Sequence, residues 1–228
     1  MRRFKDYIVN EWKLNGNSNI GFDYKYFPKN KTELQDIIIE RINDNPVIPY
    51  LLDIDTSKIT DMSDLFACDG GSVLFNRFRY NIRISKLDLS TWNTSKCKNM
   101  VGMFRILRSL KELKQNFDTS NVTNMMEMFW NCDNIETLDL SNFNTDKVKN
   151  FKQMFSCCEK LKELDFSKIN TKACKNFYSM FWDCYKLEKV KGLENFEIDK
   201  DALTDAMFRH CDKLRNNAPA NLNYYFTL

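Results

Sequence analysis

The sequence predicts a right-handed α/β solenoid with one short strand and one helix in each repeat of about 26 residues. Three observations lead to this prediction: a constant repeat spacing, two hydrophobic periods within each repeat, and irregular sequence at both ends of the array. A unit of this size has an apolar face that it cannot bury alone. A stacked copy covers that face, which explains why the chain repeats itself.

The repeat spacing is clearest for one phenylalanine, which recurs at steps of 25, 26, 26 and 27 residues: Phe104, Phe129, Phe155, Phe181 and Phe208. A cysteine follows three residues after the last four of these: Cys132, Cys158, Cys184 and Cys211. Phe66 is an earlier copy, 38 residues before Phe104, so the first repeat carries an insertion. Several columns in one register indicate an array of six repeats.

Each repeat combines two local hydrophobic periods. Val122, Met125, Met128 and Phe129 recur at the three- and four-residue steps of one helix face. The short segment Leu138–Leu140 alternates apolar and polar residues, as a half-buried strand does. A polar residue stands where it could cap each predicted helix: Asp61, Asn99, Asn124, Asn150 and Asn176. A strand plus a helix at this period is typical of leucine-rich repeats.

These patterns divide the chain into four parts. Residues 1–30 form an N-terminal leader, residues 31–53 an N-terminal helical cap, residues 54–216 the six-repeat solenoid, and residues 217–228 a C-terminal cap or tail. Within the first cap we predict a helix over Thr32–Ile42, with Thr32 and Gln35 spaced as a capping box. In the last part we expect aromatic residues near Phe226 to cover the exposed end of the core.

The repeat resembles that of the BspA-like leucine-rich-repeat surface proteins, a Mycoplasma-type lipoprotein repeat. The matching stretches are "LDLSTWNTSKCKNMVGMF" and "LDLSNFNTDKVKNFKQMFSCCEKLKEL", and the resemblance extends from about Phe27 to Arg215. It implies a module for interaction with other proteins, because many such proteins are displayed on cell surfaces and bind host or matrix proteins.

The charge balance and hydropathy narrow the choice of partner and compartment. The 34 basic and 31 acidic residues give a net charge of +3, which does not favour nucleic acid as a partner. No apolar run approaches the ~18 residues of a membrane span, and the start of the chain lacks a continuous apolar segment. We therefore expect a cytoplasmic protein without a membrane span. The resemblance implies the cell surface as the alternative location.

No motif for catalysis or for cofactor binding is recognisable. The chain contains no phosphate-binding glycine loop and no zinc-protease motif, and its single histidine, His210, has no evident nucleophile beside it. The four stacked cysteines would form a straight ladder, which cannot converge on one metal ion. We therefore expect no enzyme activity, no metal and no cofactor, with the cysteines reduced and buried.

The strand face is the predicted binding surface. Side chains on either side of the inward leucines must point outward and form a mixed-charge stripe: Asp88, Glu112, Lys114, Thr137, Asp139, Glu163, Asp165, Lys189 and Lys191. Trp130 and Trp182 are expected either as exposed contact anchors or as half-buried packing residues. The leading hypothesis is a non-enzymatic protein-binding module with an unknown protein partner. A structural, self-assembling or phage-derived component is the alternative, and a hydrolase is the third choice.

Overall fold

The computed structural model of the protein describes residues 23–70, 72–78 and 83–226. Residues 1–22, most of the predicted leader, lie outside the described residues. The rest of that leader is joined to the repeats, because Tyr26 forms a parallel bridge with Ile54. The amide of Asp55 also donates to the carbonyl of Tyr26 at 2.9 Å.

Short elements separated by turns make up the described chain, and they follow one another in this order: α1 (Lys31–Asp44), α2 (Val73–Phe78), β1 (Lys86–Leu89), β2 (Glu112–Gln115), β3 (Thr137–Leu138), β4 (Glu163–Asp165), β5 (Lys189–Lys191), a 3-10 segment (Leu193–Asn195), α3 (Asp212–Arg215) and a second 3-10 segment (Ala220–Phe226). Within the described ranges, no helix has the length and apolar character needed to cross a bilayer.

The N-terminal helix α1 begins one residue earlier than predicted, and its cap differs from the predicted one. Asn30 is the N-cap residue, and its side-chain oxygen accepts from the amide of Glu33 at 3.0 Å. Glu33 in turn accepts from the amide of Lys29 at 2.8 Å. The capping role predicted for Thr32 and Gln35 therefore belongs to Asn30 and Glu33. Asn is as good an N-cap residue as Ser or Asp, so the shift by two positions costs the helix nothing.

The strands pair in parallel, and each pair joins equivalent positions of consecutive repeats. Leu87 lies opposite Leu113, and Leu138, Leu164 and Val190 lie opposite one another in turn. These apolar residues point into the core while their neighbours face solvent. The strands form two sheets, β1–β2 and β3–β4–β5.

The segments predicted as repeat helices are instead runs of turns. In the third repeat, alternate amides donate to the next repeat: Glu127 to the carbonyl of Lys152 and Phe129 to that of Met154, both at 2.9 Å. The amide of Met128, between them, bonds within its own repeat to the carbonyl of Met125 at 3.3 Å. Glu127 and Asn131 have φ values of 57°, which no α-helix contains. The expected helix is absent from these segments because their amides pair between repeats.

Two polar ladders run beside these turns. Asn124 forms a bridge with Asn150, and its side-chain oxygen accepts from the amide of Met126 at 3.1 Å. Thr119 donates its hydroxyl to the carbonyl of Asn144 and accepts from the amide of that residue, both at 2.8 Å. Equivalent threonines are buried in five repeats: Thr56, Thr94, Thr119, Thr145 and Thr171. Each ladder satisfies buried backbone groups that the turns leave unpaired.

A stack of phenylalanine rings forms the centre of the core. The centroid distances between neighbouring rings from Phe66 to Phe208 are 5.6, 5.3, 5.7, 5.5 and 5.3 Å. All six rings are buried: Phe66, Phe104, Phe129, Phe155, Phe181 and Phe208. Phe226 stacks on the last ring with a centroid distance of 4.6 Å. The C-terminal segment therefore covers the end of the aromatic stack.

Candidate functional site

The outward side chains of the strands form a stripe along the stack, which we call the strand face. It consists of the nine residues that the sequence predicts: Asp88, Glu112, Lys114, Thr137, Asp139, Glu163, Asp165, Lys189 and Lys191. Eight of them are exposed, and Asp88 is half-buried. Strand alternation causes this arrangement, because the leucine or valine between each pair of outward residues belongs to the core.

At the β1–β2 end of the strand face, opposite charges lie directly across from each other. Lys114 approaches Asp88 at 3.2 Å, and Lys86 approaches Glu112 at 2.7 Å. Burial opposes ionisation of Asp88, but hydrogen bonds from Ser90 and Lys114 outweigh it and lower the pKa of that carboxyl. This end of the face is therefore neutralised within the chain.

The sequence predicts an acidic centre formed by Asp139, Glu163 and Asp165, and the structure places all three side chains on the exposed face. Lys191 contacts Asp165 at 2.8 Å and, together with Ser167, holds the pKa of that carboxyl well below its usual range. Part of the predicted repulsion between acids is therefore relieved by a lysine of the chain itself.

Asp139 and Glu163 keep more of their charge available to a partner. The Asp139 carboxylate accepts from the amide of Ser141 at 2.9 Å, and the hydrogen bonds of Ser141 lower its pKa. Among the residues that the structure describes, Glu163 has no lysine or arginine nitrogen within 4.0 Å, although Lys189 lies opposite it in the sheet. The centre of the strand face is therefore only partly neutralised within the chain.

An open cleft of about 510 Å³ lies beside β5, at the C-terminal end of the strand face. Its walls come from β4, β5, the 3-10 segment Leu193–Asn195, α3 and the turn after it: Glu163, Glu188, Lys189, Val190, Lys191, Gly192, Leu193, Glu194, Leu214 and Asn217. The cleft therefore brings together three predicted residues of the strand face with a backbone edge that the sequence analysis did not single out.

Trp130 and Trp182 are half-buried, so the expectation of exposed anchors is corrected in favour of packing. Both indole nitrogens are buried. The buried nitrogen holds the polar edge of each ring inside the protein. A ring held in this way presents less surface to a partner.

His210 takes part in a small polar cluster that the sequence analysis missed. Its Nδ1 atom lies 2.5 Å from a carboxylate oxygen of Asp183, and its ring stacks on Tyr185 with a centroid distance of 6.3 Å. Cys157, Asp183 and His210 occupy one column in consecutive repeats, so the carboxylate stands between the thiol and the imidazole. Burial raises the pKa of Cys157, which opposes the thiolate that a nucleophile needs.

The stacked cysteines pack as core residues. Each thiol donates to the carbonyl of a phenylalanine in the preceding repeat, for example Cys158 to Phe129 at 3.1 Å and Cys184 to Phe155 at 3.1 Å. The eight cysteines are all free. Within residues 23–70, 72–78 and 83–226, no group of three or more His, Cys, Asp or Glu side chains is arranged to hold a metal ion.

The stacked repeats match the model of a family whose function is unknown. The chain is a member of the family described as "Mycoplasma protein of unknown function, DUF285", which matches residues 41–112, 72–190 and 107–221. The overlapping matches span nearly all of the stacked repeats. No curated protein and no solved structure matches the chain.

Proposed function

We propose that the chain is a non-enzymatic protein-binding module, and that it presents the strand face of a right-handed leucine-rich-repeat-like solenoid of the BspA-like type. The observation that carries this proposal is the partly neutralised, exposed charge at the centre of that face. A protein partner with basic or hydrogen-bonding groups would complement Asp139, Glu163 and Asp165. Parallel pairing of equivalent residues supports a solenoid, because stacked repeats present one extended surface.

The architecture also suits binding more than catalysis. Side chains at equivalent positions stand about one strand spacing apart, roughly 4.8 Å, so the stack displays rows of groups to a large partner. Interfaces between proteins need such an extended area, whereas catalysis needs converging groups. Asp183 and His210 form the nearest approach to a catalytic arrangement, and the raised pKa of Cys157 argues against a nucleophile there.

The test is capture of a partner from native cells by the wild-type chain and by the triple variant Asp139→Lys, Glu163→Lys and Asp165→Lys. We expect the variant to lose the partner that the wild-type chain enriches, because the centre of the strand face becomes basic. Quantitative mass spectrometry of the captured proteins measures the difference, and thermal unfolding checks that the variant remains folded.

A matched control reverses three exposed acids away from the strand face: Asp36→Lys, Glu40→Lys and Glu159→Lys. This control changes the net charge by the same amount and should keep the partner. Retention of the partner by the strand-face variant would contradict the proposal. Equal loss from both variants would show that net charge, and not the strand face, decides the capture.

A further inference from the structure

The last repeat contains no strand at the position where a sixth strand would lie. Leu214 is buried like Leu187, its equivalent in the preceding repeat. Three residues after Leu187 stands Val190, the central residue of β5, so the matching residue after Leu214 is Asn217. The chain around Asn217 forms a turn instead of a strand, and the amide of Asn217 bonds back to the carbonyl of Leu214 at 2.9 Å.

The free edge of β5 faces this position. It has the same pattern of backbone groups as the edge of β4 to which β5 is bound. On either side of β4, the amide of Phe166 donates to the carbonyl of Lys191 at 2.7 Å, and the carbonyl of Lys162 accepts from the amide of Glu188 at 2.8 Å. In a parallel ladder alternate residues point their backbone groups to opposite sides. The amide and carbonyl of Val190 therefore point away from β4, toward the cleft of about 510 Å³.

One side chain stands in for part of the missing strand. The side-chain amide of Asn217 donates to the carbonyl of Glu188 at 3.2 Å. In the preceding repeat the carbonyl of Lys162 takes this bond from a backbone amide of the next repeat. Asn217 satisfies one acceptor of the edge and leaves the groups of Val190 to the cleft.

We propose that this edge of β5 binds an extended segment of a partner protein, which adds to the sheet as a parallel sixth strand with an acidic–apolar–acidic triplet. Exposed edges of this kind are used for recognition by strand addition in other proteins. The inference rests on the proposed function, because it specifies the kind of partner that the strand face takes.

The charges of the strand face select the acidic residues of the triplet. Each outward position of the β1–β2 and β4–β5 pairs faces a residue of opposite charge; the pairs are Lys86–Glu112, Asp88–Lys114, Glu163–Lys189 and Asp165–Lys191. A strand that continues this pattern next to β5 places acids opposite Lys189 and Lys191. Like charges at these positions would repel instead.

The core selects the central residue of the triplet. Val190 is 5% exposed and Leu214 is 1% exposed, and both line the cleft. An inward residue of the incoming strand would lie between them, where an unpaired polar group would lose its water without a partner. An apolar side chain satisfies this position. The triplet therefore has the pattern of β4 itself, in which Glu163, Leu164 and Asp165 follow one another.

The probe is a labelled peptide with the sequence LKELDFSKI, which copies residues 161–169 of this chain. The control peptide, LKKLKFSKI, has lysines in place of both acids. We expect the wild-type protein to bind the acidic peptide at least about tenfold more tightly than the control peptide, measured by fluorescence anisotropy. In NMR spectra, the amides of Val190 and Gly192 should show the largest changes on binding.

The double variant Lys189→Glu and Lys191→Glu should invert this preference, so that the lysine peptide binds more tightly. An unfolded variant would bind neither peptide. An inverted peptide preference would therefore show that the variant is folded and that the lysine charges decide recognition. Binding that ignores the charge of the peptide, or an unchanged preference in the variant, would overturn the inference. Self-association of the wild-type protein that the acidic peptide reverses would also overturn it, because the occupant would then be a second copy of this chain.

Failure of this inference and failure of the proposed function give different results. Loss of the native partner in the variant reversed at Asp139, Glu163 and Asp165, combined with no peptide binding, would leave the proposed function standing and remove the β5 edge as its site. Peptide binding at Val190, combined with full capture of the partner by that variant, would support the β5 edge as a binding site. It would contradict the binding role proposed for the centre of the strand face.

Discussion

The side chain of Gln115 replaces a peptide group between two repeats. Its amide nitrogen donates to the carbonyl of Asp139 at 2.7 Å, and its oxygen accepts from the amide of Phe117 at 2.7 Å. In the next repeat a backbone carbonyl, that of Leu140, accepts from the amide of Phe143 at 2.9 Å. The second repeat is one residue shorter here, because Phe117 follows Leu113 by four positions whereas Phe143 follows Leu138 by five. The side-chain amide of Gln115 supplies the missing donor and acceptor.

We predict that Gln115→Ala lowers the free energy of unfolding by about 1–3 kcal/mol, because the substitution leaves the groups of Phe117 and Asp139 without their partner. Urea denaturation measures the change, and Lys111→Ala, at an exposed position nearby, is the control. Replacement of Gln115 by Leu together with one inserted residue restores the spacing of the other repeats and should restore stability. A neutral Gln115→Ala substitution would contradict the role of the side chain.

Substitution of a phenylalanine should destabilise the protein most at the centre of the stack. Phe155 is buried between Phe129 and Phe181, at centroid distances of 5.7 and 5.5 Å. We expect Phe155→Ala to lower the free energy of unfolding by about 3–5 kcal/mol through lost burial and a cavity. Phe226→Ala should cost less than half as much, because that ring is half-buried and has a neighbour on one side. Equal costs in chemical denaturation would contradict this gradient.

Alkaline pH should destabilise the protein through its buried thiols. Burial raises the pKa of Cys97 and of Cys174 from 9.0 to about 11. Between pH 9 and pH 11 these thiols lose their protons in the unfolded chain but keep them in the folded chain. The stabilising contribution is therefore complete below pH 9 and is lost as the pH rises toward 11, by up to about 1.4 kcal/mol per pH unit for each thiol.

The control is the double variant Cys97→Val and Cys174→Val. Val122 and Val148 occupy the same column in other repeats, so valine should fit both positions. Denaturation of both proteins at pH 8 and pH 10 measures the dependence. We expect similar stability at pH 8 and a smaller loss at pH 10 for the variant. Parallel losses in both proteins would assign the alkaline effect to other groups.

Gly192 should not accept a side chain. Its φ of 82° lies in the left-handed region, and a Cβ atom would lie 2.6 Å from the backbone nitrogen and Cα of Ser167. We predict that Gly192→Ala lowers the free energy of unfolding by at least about 1–3 kcal/mol, since both conformation and contact oppose it. Glu194→Ala, at an exposed position two residues away, is the control, and thermal unfolding is the measurement. Unchanged stability of the Gly192 variant would show that β5 can shift relative to β4.

The sequence predicts the buried columns well but not the backbone of each repeat. Val122, Met125, Met128, Phe129 and Cys132 are all buried, as a helix face would be. A run of turns with inward residues at the same steps produces an identical pattern. Hydrogen bonds to the next repeat distinguish the two, and a local period contains no information about them. The threonine column, by contrast, was detectable, since its members recur at the repeat spacing.

The outward residues of the strand face follow from alternation alone, which is why all nine could be named from the sequence. The cleft beside β5 could not, because it depends on where the chain goes after Leu214. Pro219 and the asparagines before it indicate that regular structure ends there, but not which backbone groups remain accessible. The half-burial of Trp130 was similarly undetermined, since its column also holds the buried Ala67 and Ser156 and the exposed Arg209.

Every second amide of the turn segments donates to the following repeat, from Met62 donating to Asn99 at the start to Asp183 donating to Arg209 at the end. Peptide dipoles aligned in this manner add together. The bonds between turn segments therefore form a polar column, with its carbonyl pole toward the N-terminus and its amide pole toward the C-terminus. An engineered extension must respect this orientation: a module grafted beyond the last unit has to offer acceptors, and one placed before the first has to offer donors.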